Sequence, residues 1–245
     1  MPRKIDFLII GAQKAGTTAL WQALAAHPDI SMANRKEVHF FDKAPPTRFA
    51  RLDYWLYHRA FDWSGADARV RRGEATPAYL WWPGALERIK TYNPEIKLIA
   101  LLRDPVERAW SQHWMDVELG RKGGDILESI DKEMAQKGDA PDRVHSLISR
   151  GLYSTQIKRL HTLFPSSQTL ILNFANLKTD WPVLQHHLCG FLDVADEPLP
   201  LTSANQTENK PLLDEEMRET LANYFREDMA ETRQQLGWEE QDWSV

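Results

Sequence analysis

The sequence predicts an α/β fold with three layers, α/β/α, around a central and mostly parallel sheet. Wholly apolar runs of strand length recur along the 245 residues, as in strands that are buried on both faces. Segments with helical periodicity alternate with these runs, and the first strand–helix junction carries a glycine-rich turn. The chain is long enough for one large domain, and we expect residues 1–245 to form a single one.

The first half of the chain opens with the apolar run "DFLII", residues 6–10, which predicts a buried strand. The apolar periodicity of residues 17–28 predicts the helix that follows. The segment "NRKEVHFFD", residues 34–42, alternates in polarity and is expected to be extended. We also predict a helix at 52–61, a strand at 69–76 that ends before Pro77, a helix at 83–94 and a strand at 96–102.

The second half contains a strong helix start, with Asp104 as the N-cap and Pro105 at the first helical position. Polar, glycine-interrupted residues 120–150 are interpreted as an insertion, and residues 193–213 as a long loop. An apolar stripe is expected on the last helix. It comprises Leu213, Met217, Leu221, Phe225 and Leu236. The other predicted elements are helices at 126–136, 153–165 and 181–192 and a strand at 168–174.

Charge and composition exclude some classes of function. The net charge is −5, and residues 214–242 hold ten acidic and three basic side chains, which argues against nucleic-acid binding. The apolar run near the N-terminus is too short for a signal sequence or a membrane span, so no stable membrane insertion is expected. The single cysteine, Cys189, rules out an internal disulfide and fits a reducing compartment, so we expect a cytoplasmic protein.

The segment "GAQKAGTT", residues 11–18, resembles a P-loop whose lysine has moved. A Walker loop has lysine directly after its second glycine, whereas here Thr17 follows Gly16 and Lys14 lies inside the loop. Backbone N–H groups at such a turn bind anions together with the helix N-terminus, and Thr18 adds a second hydroxyl. The alternative is a plain strand–helix turn with solvated polar residues.

A second anion-binding signal is Arg103, at the end of the strand predicted at 96–102, with Ser111 eight residues further on. Arginine at a strand end binds phosphate through paired hydrogen bonds. The alternative is a salt bridge to Glu107. Two anion sites on neighbouring strands indicate a nucleotide that carries phosphates at two positions.

Five motifs occur in the order and spacing of a known family: "FLIIGAQKAGTTAL", "KEVHFFD", "ATPAYL", "RDPVERAWS" and "RGLYS". The chain resembles sulfotransferases that use 3′-phosphoadenosine 5′-phosphosulfate (PAPS), most of all heparan sulfate sulfotransferase domains and their bacterial relatives. The resemblance implies that residues 1–245 are a single sulfotransferase domain. The polar insertion at residues 120–150 is the candidate for a lid over the acceptor, and the resemblance makes residues 193–213 the candidate for a loop over the nucleotide.

The resemblance assigns residues to PAPS. The loop that would bind the 5′-phosphosulfate comprises Lys14, Ala15, Gly16, Thr17 and Thr18. Arg103 and Ser111 match the pair that binds the 3′-phosphate, and Lys210 is the candidate for a basic residue over the nucleotide. Tyr153, in "RGLYS", is placed near the nucleotide, and a core position is the alternative.

Sulfuryl transfer needs a cation at the leaving oxygen and a base at the acceptor. Lys14 suits the first task, and no metal is required because the sulfuryl group carries less charge than a phosphoryl group. The resemblance makes Glu37 the base, with His39 as second choice or as an acceptor-binding group. The alternative for Glu37 is a solvated ion pair with Arg35 or Lys36.

The chain departs from the resemblance at Ala75, where related enzymes often have a lysine that holds acceptor or sulfate. The acceptor is therefore expected to be a hydroxyl or amine on a carbohydrate, lipid or small natural product, without further definition. Two rival functions remain open. One is a P-loop nucleotide kinase or NTPase, which needs lysine directly after Gly16. The other is a non-catalytic scaffold that binds PAP, adenosine 3′,5′-bisphosphate.

Overall fold

Five parallel strands form the centre of the computed structural model, which describes residues 4–43, 50–64, 69–136, 146–202, 210–239 and 243. The strands are β1 (Phe7–Gly11), β2 (Ile30–Met32), β3 (Arg71–Ala75), β4 (Lys97–Leu102) and β5 (Thr169–Asn173). Their order in the sheet is β2-β3-β1-β4-β5. The prediction of an α/β/α fold with a parallel central sheet is confirmed.

Helices connect the strands and cover the sheet. They are α1 (Thr17–Ala25), α2 (Ala50–His58), α3 (Ala85–Tyr92), α4 (Pro105–Glu118), α5 (Ile126–Ala135), α6 (Tyr153–Leu163), α7 (Asn176–Thr179), α8 (Trp181–Leu192) and α9 (Glu215–Leu236). The predicted start of α4 is confirmed, because the Asp104 carboxylate accepts the N–H of Glu107. No helix in the described ranges is both long and apolar enough to cross a bilayer.

Strand β1 lies at the middle of the sheet and is buried along its whole length. Ile9 pairs with Ala75 of β3 on one side and with Ile99 of β4 on the other. The carboxyl ends of these three strands therefore meet at one edge of the sheet. Ligands of open parallel sheets bind at such an edge, and β1 delivers the glycine-rich loop to it.

The prediction that residues 34–42 form an extended segment is wrong. The strand at this place is the shorter β2, which the sequence did not indicate, and it ends at Met32. Glu37 and His39 have left-handed backbones, with φ of 61° and 54°, so side chains no longer alternate between two faces. Phe41 is consequently buried in the core, while Glu37 and His39 stay partly exposed.

The described part of the insertion at residues 120–150 packs on the body of the protein. Ile126 and Ile130 of α5 are buried in the core. The Glu133 carboxylate accepts three backbone N–H groups, from residues 147, 148 and 149, and so joins the end of the insertion to α5. Residues 137–145 and, in the second predicted loop, 203–209 lie outside the described ranges. The lid and the nucleotide-covering loop stay predictions.

Candidate active site

The glycine-rich loop closes between β1 and α1 through its backbone. The Ala12 N–H donates to the carbonyl of Leu101 at 2.6 Å, which joins the loop to β4, and the Ala15 N–H donates to the carbonyl of Ala12 at 3.2 Å. Gly16 has φ of 81°, and a Cβ atom there would lie 2.7 Å from the ring of Phe174. Only glycine satisfies both the backbone angle and the space at this position.

The loop presents positive potential at the start of α1. The first N–H groups of a helix have no partner within it, and the first turn of α1 contains no acidic residue. Thr17 is buried at this helix start, and Lys14 precedes it with φ of 66°. Burial, together with the charge of Arg103, lowers the pKa of Lys14, while Asp116 acts in the opposite direction. The loop is thus a cationic cradle of the kind that binds phosphate.

Arg103 contacts this loop and also forms the salt bridge that the sequence offered as the alternative. Its Nη1 atom donates to the carbonyl of Lys14 at 3.2 Å, and Nη2 lies 3.0 Å from Oε2 of Glu107. The guanidinium carbon lies 5.1 Å from the centre of the Phe174 ring, which also limits the space at Gly16. The two predicted anion sites are therefore adjacent and share one aromatic wall.

Glu107 does not cancel the positive charge, because three cations surround it. Besides Arg103, Lys210 Nζ lies 3.8 Å from Oε2, and Nη2 of Arg218 in α9 donates to Oε1. Burial raises the pKa of Glu107, but the hydrogen bond from Arg218 and the three positive charges outweigh it and lower the pKa. The cluster keeps a surplus of positive charge beside Lys14.

Two other predicted nucleotide residues are buried to different degrees. Ser111 lies on α4 and is 8% exposed. Tyr153 is completely buried at the start of α6, and its hydroxyl donates to the carbonyl of Arg103 at 3.1 Å. Burial raises the pKa of Tyr153. The geometry therefore favours the core position for Tyr153, from which its hydroxyl holds the backbone of Arg103.

Glu37 and His39 form a chain of charged groups that ends at Asp42. His39 Nε2 lies 3.2 Å from Oε2 of Glu37, and His39 Nδ1 lies 2.6 Å from Oδ2 of Asp42. Lys36 Nζ lies 2.6 Å from Oε1 of Glu37, so the ion pair offered as the alternative is also present. Each oxygen of the Glu37 carboxylate thus has a cationic neighbour, and the imidazole lies between two carboxylates.

These contacts determine the protonation of the chain. Burial raises the pKa of Glu37, but hydrogen bonds from His39 and Lys36 outweigh this effect and hold the pKa at about 2. Hydrogen bonds to Asp42 and Glu37 raise the pKa of His39 to about 9, against the opposing effect of burial. At neutral pH Glu37 is a carboxylate and His39 an imidazolium.

A buried carboxylate, Glu74, supports the segment that carries Glu37 and His39. It accepts the hydroxyls of Tyr57 at 2.8 Å, Tyr79 at 2.9 Å and Thr76 at 2.7 Å. The Tyr79 hydroxyl in turn accepts the N–H of Phe40 at 2.9 Å. Burial raises the pKa of Glu74, and the donated hydrogen bonds oppose this rise. The network joins the core of β3 to the backbone beside His39.

Backbone contacts bring Glu37 to the same sheet edge as the loop. The Glu37 N–H donates to the carbonyl of Ala75 at 2.9 Å, and the Thr76 N–H donates to the carbonyl of Ile9 at 3.0 Å. Ile9 lies two residues before the end of β1. Ala75 itself is completely buried, and its methyl side chain supplies no charge to the site.

Three residues around the loop had no role in the sequence analysis. Arg218 donates to Glu107, and the Phe174 ring packs against the Arg103 guanidinium. Arg150 lies over the ring of Trp81 at 4.2 Å and donates from Nη1 to Oε1 of Gln13 at 2.6 Å. Phe174 directly follows β5, so the rule that strand ends build the site would have indicated it. Arg218 lies in a strongly acidic helix, where the sequence carries no such signal.

Comparisons with known proteins agree with this geometry. The family described as "Sulfotransferase domain" matches residues 4–210. The human "Bifunctional heparan sulfate N-deacetylase/N-sulfotransferase 3" is 30% identical over 77% of this chain and 22% of its own length. The mouse "Heparan sulfate glucosamine 3-O-sulfotransferase 3B1" is 32% identical over 71% of this chain and 42% of its own length. The chain thus spans less than half of each of these two relatives.

A solved structure matches over almost the full length. The sulfotransferase from Alicyclobacillus acidocaldarius is 28% identical, with a TM-score of 0.83 over 99% of this chain and 100% of that one. The family match, the two relatives and the solved structure all indicate a sulfotransferase. The chain belongs to the sulfotransferase family.

Proposed function

We propose that this chain transfers the sulfuryl group of PAPS to a hydroxyl or amine of a carbohydrate, lipid or small natural product, with release of PAP. Sulfotransferases of this family take sulfate from PAPS. One observation supports the reaction most strongly for this chain. Lys14, Arg103, Lys210 and Arg218 converge where β1 and β4 end, and in the described part of the chain Glu107 is the one carboxylate that pairs with Arg103, Lys210 and Arg218.

The residues present fit a nucleotide with phosphates at two positions. The loop from Lys14 to Thr18 offers a helix N-terminus, a lysine and two hydroxyls for the 5′ end. For a 3′-phosphate, Arg103 at the end of β4 and the nearby Lys210 offer positive charge. Ser111 on α4 offers a hydroxyl. Gly16 supports this assignment, because any Cβ atom would fill space beside Phe174 that the loop needs in order to close.

PAPS supplies an activated sulfuryl group on a phosphate leaving group. The role of Lys14 is to stabilise the negative charge that grows on the leaving oxygen, since a preplaced cation lowers the barrier most where charge develops. The N-terminus of α1 adds to this effect. Arg103, held by Glu107 and by the loop carbonyl, orients the nucleotide and does not take part in proton transfer.

Glu37 is the proposed base that takes the proton from the acceptor. Its pKa of about 2 keeps it ionised at neutral pH, whereas His39, with a pKa of about 9, already carries its proton and has no basic nitrogen to offer. The acceptor oxygen becomes acidic only as its bond to sulfur forms, so an ionised and well-placed carboxylate suffices. His39 then orients Glu37 and donates to the acceptor.

The first test is a thermal-shift titration with PAP, beside AMP and beside ATP with Mg²⁺. A ligand that binds only the folded state stabilises it by about 2.7 kcal/mol at a hundred times its Kd. We expect strong stabilisation by PAP, lost in Arg103→Ala and kept in Arg226→Ala, a control on the exposed face of α9. Stabilisation by ATP with Mg²⁺ alone would overturn the proposal in favour of a kinase.

Transfer itself is tested with sulfur-labelled PAPS and a panel of sugar, lipid and phenolic acceptors. Label on an acceptor, dependent on Glu37, supports the enzyme. PAP binding without transfer to any acceptor of the panel would favour the non-catalytic scaffold. A cytoplasmic location is proposed on the single cysteine, and fractionation of the producing cells tests it.

A further inference from the structure

A cleft of about 440 Å³ lies beside the segment that carries Glu37. One wall consists of residues from this segment, among them Arg35, Val38, Phe40 and Lys43. The opposite wall comes from α2 and the residues directly after it, including Arg59. Its volume lies within the range of about 300–1,000 Å³ that is typical of small-molecule sites. No residue of the nucleotide cluster around Glu107 lines it, so the cleft is distinct from that cluster.

The cleft is positively charged. Arg35, Lys43 and Arg59 line it and are exposed, and none of the three forms an ion pair with a carboxylate of the described ranges. Glu37 and Asp42, the carboxylates nearest along the chain to Arg35 and Lys43, already have Lys36 and His39 as partners. Three guanidinium and ammonium groups around one small cleft favour an anion, and arginine binds carboxylates in a bidentate manner.

The same cleft has aromatic and aliphatic walls. The rings of Phe40 and Tyr57 stack with centroids 4.5 Å apart, and Leu56, on the same wall, is 51% exposed. Trp55, which precedes Leu56 in the chain, is also exposed, and the Arg59 guanidinium lies 5.4 Å from the centre of its ring. Such surfaces pack against the flat face of a sugar or an aromatic ring. A ligand that suits both features has a flat ring and a negative group.

We propose that this cleft binds the anionic part of the acceptor, a carboxylate-bearing sugar or aryl ring, whose nucleophilic hydroxyl then reaches Glu37. The proposal rests on the proposed function. Val38 lines the cleft and follows Glu37 directly, and consecutive Cα atoms are only about 3.8 Å apart. Arg35, Lys43 and Arg59 then supply the positive charge that holds the anionic group of the acceptor.

The test compares two probes that differ only in the carboxylate, p-nitrophenyl β-D-glucuronide and p-nitrophenyl β-D-glucoside. Calorimetric titrations are made with and without saturating PAP, which cannot donate sulfate. We expect the glucuronide to bind about tenfold or more tightly than the glucoside, as one charge-assisted bidentate contact would give. Equal Kd values, or no saturable binding of the glucuronide, would overturn the proposal.

Variants that remove charge from the cleft test which residues cause the tighter binding of the glucuronide. The triple variant Arg35→Gln, Lys43→Gln and Arg59→Gln is expected to abolish it and to leave stabilisation by PAP unchanged. The control triple, Lys132→Gln, Lys158→Gln and Arg226→Gln, removes the same charge from exposed sites elsewhere and should keep the preference. An unchanged preference in the first triple variant would also overturn the proposal. Failure of PAP to stabilise the wild type would instead count against the proposed function.

Discussion

The imidazole of His39 is bound to a carboxylate that is completely buried: Nδ1 lies 2.6 Å from Oδ2 of Asp42, whose side chain has no exposed surface. Nε2, on the other side of the ring, faces Glu37 at 3.2 Å. The buried end fixes the orientation of the ring, and the partly exposed end holds the proposed base. Asp42 in the core therefore orients His39, and His39 in turn orients Glu37.

Replacement of Asp42 by Asn is expected to change the dependence of stability on pH. The pKa of His39 is raised to about 9 in the folded state, so its contribution is complete below about 6.5 and is lost as pH rises through 9. Asp42→Asn should lower this pKa and flatten the loss between pH 6.5 and 9. Melting temperatures of both proteins across this range check it, and identical alkaline profiles would contradict the assigned pairing.

At acidic pH Glu37 gives stability the opposite dependence on pH, because its contribution is lost as pH falls. Its folded pKa of about 2 lies below the ordinary value of 4.5, so its contribution is complete above 4.5 and is lost as pH falls toward 2. Glu37→Gln should remove this part of the acid-induced destabilisation. Melting curves between pH 2 and pH 6 measure the effect, with Glu219→Gln as an exposed control on α9.

The same Glu37→Gln variant is expected to reduce kcat by about 100-fold or more, because it removes the proton acceptor. Stabilisation by PAP should stay unchanged. The measurement is transfer from labelled PAPS to an acceptor found in the panel. Unaltered activity would exclude Glu37 as the base and leave the family assignment intact.

Arg103 and Arg218 are expected to contribute unequally to nucleotide binding. Arg103 contacts the loop directly, so Arg103→Ala should weaken PAP binding by about ten- to a hundredfold. Arg218 acts through Glu107, and Arg218→Ala should weaken it less. Calorimetric Kd values decide the order, and a larger effect of Arg218 would indicate direct contact with PAP.

Gly16→Ala is expected to destabilise the fold by about 1–3 kcal/mol and to abolish stabilisation by PAP, because it adds a Cβ atom 2.7 Å from Phe174 at a φ of 81°. Gly190→Ala is the matched control. Gly190 lies inside α8 with no atom within 4 Å of the added Cβ, so alanine should stabilise by about 0.5–1 kcal/mol. Denaturant unfolding measures both. Equal effects would refute the steric argument.

Glu74→Gln tests the buried support of the segment that carries Glu37 and His39. Glutamine replaces one acceptor oxygen with a donor, while the hydroxyls of Tyr57, Tyr79 and Thr76 all donate at this place. We expect a loss of about 1–3 kcal/mol in unfolding free energy, with kcat reduced and PAP affinity kept. Tyr79→Phe, which removes the bond to the Phe40 N–H, should reduce kcat in the same way.

Local sequence rules predicted the layers of the fold well. The sequence located four of the five strands, three of them (β1, β4 and β5) through apolar runs, and Asp104 with Pro105 located the start of α4. The glycine spacing and the position of Arg103 at a strand end predicted two neighbouring anion sites, and the structure brings Lys14 and Arg103 into contact. These features depend on residues close together in the chain, or on the common edge that parallel strands share.

Other features of the site depend on contacts between distant segments. Alternation predicted an extended segment at 34–42, but the backbone bonds to β3 and the left-handed angles at Glu37 and His39 set a different arrangement. Spacing did not reveal that Tyr153 is buried under Arg103 either.

The sequence by itself determined the fold class, the family and the residues of the proposed phosphate-binding loop. The tertiary structure alone decided which charges meet. Arg218 reaches Glu107 across 111 positions of the chain, and Phe174 packs close to both Gly16 and Arg103. The physical reason is range: helix and strand periodicity record whether each residue faces the core, whereas electrostatic surroundings and protonation follow from the packing of elements far apart in the sequence.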